Sequence, residues 1–348
     1  MGKRGFVMGI SFSASAPRVL GGIDLWAFAF TLAASESVML SFSTCWNSSR
    51  HREGGPMLQE ILDLGFDTVE LSHGIRVSLV GGIQEYYDAG KVRISTLHNF
   101  CPLPLEVQGS SPDCYEFTSH RPFDQRRAVK LSCQTIDFAH RLGAGIVVMH
   151  LGRVAMNPVT RRLGDLAKEG KMESREFVKL KIAAVKERES KGPAYMQRVK
   201  ACLMPIIEHA AKKNINIGIE GRFGYEEVPS ELELPVLLDE INSPHVGYWH
   251  DFGHIQVKEN LAFLDHYEWL KFIRHRLFGC HLHDCVWPTG DHRVPFTGAI
   301  DYDRLIALLP QNCLFVWELN PRATAEEIQT GLARWKEKFG EKPAPAIT

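Results

Sequence analysis

The sequence predicts an α/β chain folded as a (β/α)8 TIM barrel with a helical insertion after strand 4. Three observations carry that expectation. Eight short apolar runs, rich in β-branched and aromatic residues, recur from Met39 onward, as expected for strands covered on both faces. Helix-like segments separate them, and several end in glycine just past the last apolar turn. Acidic and imidazole side chains gather at the C-terminal ends of the strands, where this architecture puts its chemistry. A length of 348 residues with 45% hydrophobic and 23% charged side chains suits one such enzyme-sized domain or two smaller ones.

Residues 1–38 read differently. They combine a basic start, an apolar stretch and small residues, as secretory signals do. Asp24 interrupts the apolar run, which is also too short to span a bilayer. The expectation is a leader or non-domain extension over 1–38, with a signal or an upstream start site as alternatives, and a barrel over 39–340.

The first strand is "MLSFSTCW" (39–46), followed by the helix candidate "GGPMLQEILDLG" (54–65). "FDTVELS" (66–72) and "VRISTLHNF" (92–100) are the second and third strands, and "FDQRRAVKLSCQTIDFAHRLG" (123–143) is a helix ending in glycine. The fourth strand, "AGIVVMHLG" (144–152), is followed by about sixty residues before the fifth, "INIGIEGRF" (215–223). That interval holds "LGDLAKEGKMESREFVKLKIAAVKERESKG" (163–192), whose Lys/Glu/Ala richness predicts an exposed helix or helical pair. Its simplest use is a solvated face, with a lid or a homo-oligomer contact as alternatives. The helix "ELELPVLLDEI" (231–241) leads to "HVGYWHDFG" (245–253), then "LFGCHLHDC" (277–285), "LFVWELNP" (314–321) and the closing helix "TAEEIQTGLARWKEKFG" (324–340).

The strand ends supply the chemistry. Strand 3 ends in His98, strand 4 in His150 and strand 5 in Glu220; strand 6 ends in His250 and Asp251, with His254 just beyond. Strand 7 carries His281 and His283, and strand 8 carries Glu318. Such groups are hard to bury unless paired or bound to a cation. Any one histidine alone reads as a core residue bonded to a carbonyl, and their joint placement is what argues for a site. Alternate strand residues share a face, so His281 and His283 point the same way. Cys280 and Cys285 are an odd number apart, which argues against a zinc knuckle in "CHLHDC". Glu220, Asp251, His281 and Glu318 form a mixed oxygen and nitrogen set that suits one divalent metal ion (Mn²⁺, Mg²⁺, Co²⁺ or Zn²⁺) and leaves coordination positions open. A metal there would lower the cost of an enediolate. Glu220 and Glu318 would be the catalytic pair, one removing a proton from the substrate carbon and the other returning it. Arg222, Trp249 and Trp317 are further candidates for shaping the pocket.

The run of "GIEGRFGYEE", "HDFGH", "HLHD" and "WELN" in this order resembles the xylose-isomerase-like barrel superfamily over roughly residues 39–336. That superfamily includes sugar and sugar-phosphate isomerases and epimerases and the endonuclease-IV-type AP endonucleases. The resemblance matches Asp251 and His254 to an Asp-x-x-His motif and places the metal-ligating histidine at His281. It likens Glu226 to a glutamate that supports the site in ketose epimerases, and "LGFDTVELS" to the strand-2 signature with Glu70 near the substrate. It implies that His254 and Arg293 bind substrate hydroxyls or a phosphate and that His98, His150 and His283 line the pocket. For the endonuclease branch, which holds three zinc ions, His98, His150 and His292 fit, but Gly290 stands where an aspartate is wanted.

The implied function is metal-dependent isomerisation or epimerisation of a sugar, sugar phosphate or related polyol. An AP endonuclease, or a dehydratase on the same barrel, is the alternative. A formal net charge of -1 gives no electrostatic reason to expect nucleic acid or an anionic membrane as partner. The eight cysteines are scattered singly, which predicts reduced thiols in a cytoplasmic setting.

Overall fold

The computed structural model describes residues 39–310 and 313–340, and the expected leader over 1–38 lies outside the described residues. Strands β1 (Met39–Ser43), β2 (Thr68–Leu71), β3 (Arg93–His98), β4 (Ile146–Met149), β5 (Asn216–Glu220), β6 (Val246–Asp251) and β7 (Leu277–Leu282) follow one another round a closed parallel barrel. A hairpin of β8 (Asp284–Val286) and β9 (Gly290–Arg293) then leaves the barrel, and β10 (Leu314–Trp317) closes it between β7 and β1. The chain is therefore the (β/α)8 TIM barrel its alternating pattern predicts, with β10 as the eighth barrel strand.

The strands form because neither face meets water. In β4 all four residues are buried, which is why that segment reads as an unbroken apolar run. Around the barrel lie α1 (Gly54–Asp63), α2 (Val77–Asp88), α3 (Pro122–Arg141), α4 (Val159–Lys168), α5 (Arg175–Lys212), α6 (Glu233–Ile241), α7 (Phe252–Asn260), α8 (His266–Ile273), α9 (Tyr302–Ile306) and α10 (Ala325–Phe339). The last begins in a capping box, with Thr324 and Glu327 each bonding the other's backbone. Its Trp335 packs 6.3 Å from the ring of Trp317, which therefore faces outward into the helical layer and not into the pocket.

Inside the barrel, Ile146, Val148, Trp249, Leu314 and Val316 make a separate apolar floor. Two glycines on neighbouring strands make room for the indole. A Cβ at Gly279 would lie 2.5 Å from Trp249 Cζ3, and one at Gly218 would lie 3.2 Å from Trp249 Cβ. The floor sets the depth of whatever sits above it.

The segment after β4 is a helical pair, but its second member is longer than its exposed half suggests. α5 runs for 38 residues from a Ser174 cap. Its later residues Val199, Leu203, Ile206 and Ala210 are buried, so that half serves as a helix of the barrel wall. The earlier half is tied down by Arg188, which bonds Glu233 at 2.6 Å and the Tyr225 carbonyl at 2.8 Å. Among the described residues no helix is long and apolar enough to cross a membrane.

Candidate metal centre

Strand geometry delivers the four expected ligands to one place. β5 and β10 end at Glu220 and just before Glu318, while Asp251 of β6 is registered opposite His281 of β7. His281 Nδ1 lies 3.3 Å from Glu220 Oε1, 3.6 Å from Asp251 Oδ2 and 3.2 Å from Glu318 Oε2. The Trp249 ring meets His281 edge-on at 5.3 Å, closing the site from below.

Glu70 completes the arrangement. Its Oε2 lies 3.2 Å from His281 Nε2 and accepts the Thr96 hydroxyl at 2.8 Å. An Nε2–H donated to Glu70 leaves the Nδ1 lone pair turned toward the other three carboxylates, as second partners of ligating histidines commonly arrange. Glu70 Oε1 is buried with no partner among the described residues.

The electrostatics ask for a cation. Glu70, Glu220, Asp251 and Glu318 are all buried, and among the described residues no Lys or Arg pairs with any of them. The neighbouring guanidinium of Arg222 is engaged by Asp113 and Glu227. Burial opposes a charge on His281, yet Glu318, Glu70 and Glu220 outweigh it and hold the imidazole well above its ordinary pKa. Burial likewise works against an ionised Glu220, but His150 and His281 hold it well below the usual carboxylate range. Buried acids in such excess fit a divalent ion, and the mixed donor set suits Mn²⁺, Mg²⁺, Co²⁺ or Zn²⁺.

Two further groups adjoin this one. His98 Nε2 and His150 Nε2 lie 3.1 and 2.7 Å from Glu220 Oε2. His150 Nδ1 is 3.3 Å from Asp113 on the long loop after β3. Burial and Arg222 press the His150 pKa down, but Glu220 and Asp113 raise it to about 9. On the other side, His254, His283 and His292 bring ring nitrogens within 4.8 Å of one another. His283 Nε2 is 3.0 Å from Asp251 Oδ1, and its Nδ1 accepts the His292 backbone N–H at 2.8 Å. Asp291 lies close to two of these rings, 3.7 Å from His254 Nε2 and 3.8 Å from His292 Nε2.

Two expected residues are not brought in. Glu226 accepts the Thr160 hydroxyl at 2.7 Å, beside the start of α4, and it is Glu227 that braces Arg222. Arg293 is exposed on the hairpin, where its charge acts on Glu327 of α10. His250 points outward, away from Asp251's face. Glu70, which the resemblance puts near the substrate end of strand 2, lies in this centre, bonded to His281, while Asp113 and Asp291 carry no signal of strand periodicity.

The chain matches the xylose isomerase-like TIM barrel family model over residues 58–338. No curated protein matches it in sequence. Among solved structures it is similar to a D-tagatose 3-epimerase-like protein, with 17% identity over 86% of this chain and 96% of that one and a TM-score of 0.61. It is similar as well to an IolI protein with a bound zinc atom, at 15% identity over 88% and 99% of the two chains and a TM-score of 0.60. A probable 3-DHS dehydratase, AsbF, from Bacillus anthracis gives 12% identity over 86% and 100% and a TM-score of 0.60. At these identities the likeness is one of fold.

Proposed function

The chain belongs to the xylose isomerase-like TIM barrel family, and from that premise we propose that it is a divalent-metal-dependent isomerase or epimerase of a sugar, sugar phosphate or related polyol. The observation that carries the reading is the set of three carboxylates around His281 Nδ1 at 3.2–3.6 Å, with no basic side chain paired to them among the described residues. Glu220, Asp251, His281 and Glu318 would hold the ion. When bound, it would polarise a carbonyl and its neighbouring hydroxyl and make the adjoining C–H more acidic.

The chain's own groups then move the proton. Glu220 and Glu318 approach the site from β5 and from the end of β10, so a substrate carbon between them meets a carboxylate from either strand. One takes the proton and the other returns it, on the opposite face for epimerisation. Glu70 keeps the His281 ring in one orientation, and Trp249 keeps water and substrate from sinking into the barrel. His98, His150, His254 and His283 line the mouth and are suited to hydroxyl binding. The epimerase-like and zinc-holding neighbours support this reading, and eight free cysteines accord with a reducing, cytoplasmic setting.

A second reading is favoured by one observation: three groups of ligand-type side chains adjoin one another at the mouth, two of them sharing Glu220 and the third reaching Asp251 through His283. Three ions held together would suit hydrolysis of a phosphodiester, as in an AP endonuclease. Metal content per full-length chain, purified without added metal or chelator, separates the two. About one divalent ion per chain, with turnover of a ketose in a sugar panel, is expected. Close to three zinc ions, with cleavage of abasic-site DNA and no sugar turnover, would overturn the isomerase in favour of the hydrolase.

A further inference from the structure

A cleft of about 200 Å³ opens beside the metal centre on the β1–β2 side, lined by Ser48, Ser72, His73, Gly74, Arg76 and Ser110 among others. That is below the roughly 300–1,000 Å³ of a whole small-molecule site, so it holds one end of a ligand. Its inner end touches the reaction site at two points. Cys45 lines the cleft, and its Sγ lies 3.4 Å from the carbonyl oxygen of Leu319, the residue after Glu318. The His73 ring lies 5.3 Å from that of His98, which itself bonds Glu220.

The chemistry of the cleft is the reverse of its neighbour's. No carboxylate lines it, and its one cation, Arg76, is exposed and makes no ion pair among the described residues. Serine hydroxyls converge on Gly74: a Cβ there would lie 2.8 Å from Ser48 Oγ, 3.2 Å from Ser110 Oγ and 3.5 Å from Ser72 Oγ. Ser48 is 4% exposed, and its hydroxyl has no hydrogen-bond partner among the described residues. Ser110 Oγ is 2.7 Å from His73 Nδ1. Arg76 also stands at the start of α2, a 12-residue helix with no side-chain cap and no acidic residue in its first turn. Its unmet N–H groups and dipole favour an anion there.

We propose that this cleft binds the phosphate of a phosphorylated sugar whose reacting carbon lies at Glu220 and Glu318. The assignment rests on the sugar-enzyme reading above and narrows its substrate class. Arg76 takes two phosphate oxygens, Ser48 donates to a third, and the His73 Nδ1–H, given to Ser110 Oγ, frees that serine's own proton for the ligand. Gly74 leaves the space that the tetrahedral group fills.

The test is calorimetric titration of the full-length, metal-loaded protein with inorganic phosphate and, separately, acetate. Wild type should bind phosphate saturably, and Arg76→Ala should weaken it about tenfold or more, the usual worth of a hydrogen bond to a charged group. Arg76→Gln should fall between, and metal content should match wild type in both variants. Gly74→Ala, which crowds Ser48, should weaken phosphate as well. Equal affinity in wild type and both Arg76 variants would put the phosphate elsewhere and overturn the assignment, as would an absence of binding. Tighter binding of acetate than of phosphate would overturn it in favour of a carboxylate. Turnover of unphosphorylated sugars without phosphate binding sinks the cleft alone. Arg76-dependent phosphate binding without any sugar turnover sinks the enzyme reading and leaves the cleft.

Discussion

Strand β6 carries an imidazole-rich cluster on each of its faces, and the two differ in what surrounds the rings. On the inner face, Asp251 meets His283 and the carboxylate-ringed His281. Burial opposes charge there, yet Asp251 raises the His283 pKa to about 9. On the outer face His250 joins a relay of neutral groups. Trp269 donates to the Tyr248 oxygen at 3.0 Å, and Tyr248 is 2.9 Å from His250 Nδ1. His250 Nε2 is 3.0 Å from His266 Nε2, whose Nδ1 is 3.1 Å from the Gln256 oxygen. One proton per group satisfies the whole chain with no net charge. Burial accordingly pushes His250 down to about 3 and holds His266 well below its ordinary value. The number of histidines does not mark the functional face. The carboxylates beside them do, because only a charged neighbour offsets the cost of burying a charge.

The sharpest way to break this contrast is to remove an inner carboxylate's charge. Glu220→Gln and Glu318→Gln should each lower turnover by about 10²–10⁴-fold, the scale of a lost proton-transfer group, and reduce bound metal. Unchanged metal content in both would show that the inner face does not hold an ion. A gentler probe is Glu70→Gln, which leaves the ligands in place but loosens the His281 ring. Metal affinity measured by competition with a chelator should fall about 10–100-fold, and wild-type affinity would remove Glu70 from the site.

The outer relay predicts the opposite pattern. His266→Gln should leave metal content as it is and cost about 1–3 kcal/mol of stability in denaturant unfolding, through the buried partners it strands. Metal loss in this variant would erase the distinction between the faces. The smallest expected effect is in pH. With its folded pKa depressed, His266 stays neutral in the folded chain while the unfolded chain takes up a proton below about pH 6.5. Its contribution is complete above that value and is lost as pH falls toward the depressed folded value. Between about pH 7.5 and 5, wild type should therefore lose more stability than His266→Gln. Equal losses in the two proteins would mean that His266 is not held neutral.

Much of this was legible beforehand because a strand repeats every two residues. The eight apolar runs locate the barrel, and Glu220, Asp251, His281 and Glu318 all sit at strand ends that converge. The same parity separates His250 from Asp251, a signal present in "YWHD" that the gathering of polar residues at strand ends obscures. Outside the strands no periodicity operates. Glu226 and Glu227 are adjacent in a loop, and only the folded loop shows that the first bonds Thr160 and the second Arg222. Arg293 left the site because the β8–β9 hairpin carries it outward, and Asp113 entered it because the loop after β3 folds back across the mouth.

The sequence by itself thus determined the barrel and the four residues at its centre, since hydrophobic periodicity and strand-end position are local properties that closure of the sheet turns into proximity. Tertiary structure alone decided what lies around that centre: Glu70 behind His281, Asp291 beside His254, and the serines gathered at Gly74. These contacts join loops and strands far apart in the chain, and their distances are set by how the loops pack on the barrel, which no spacing within a single segment encodes.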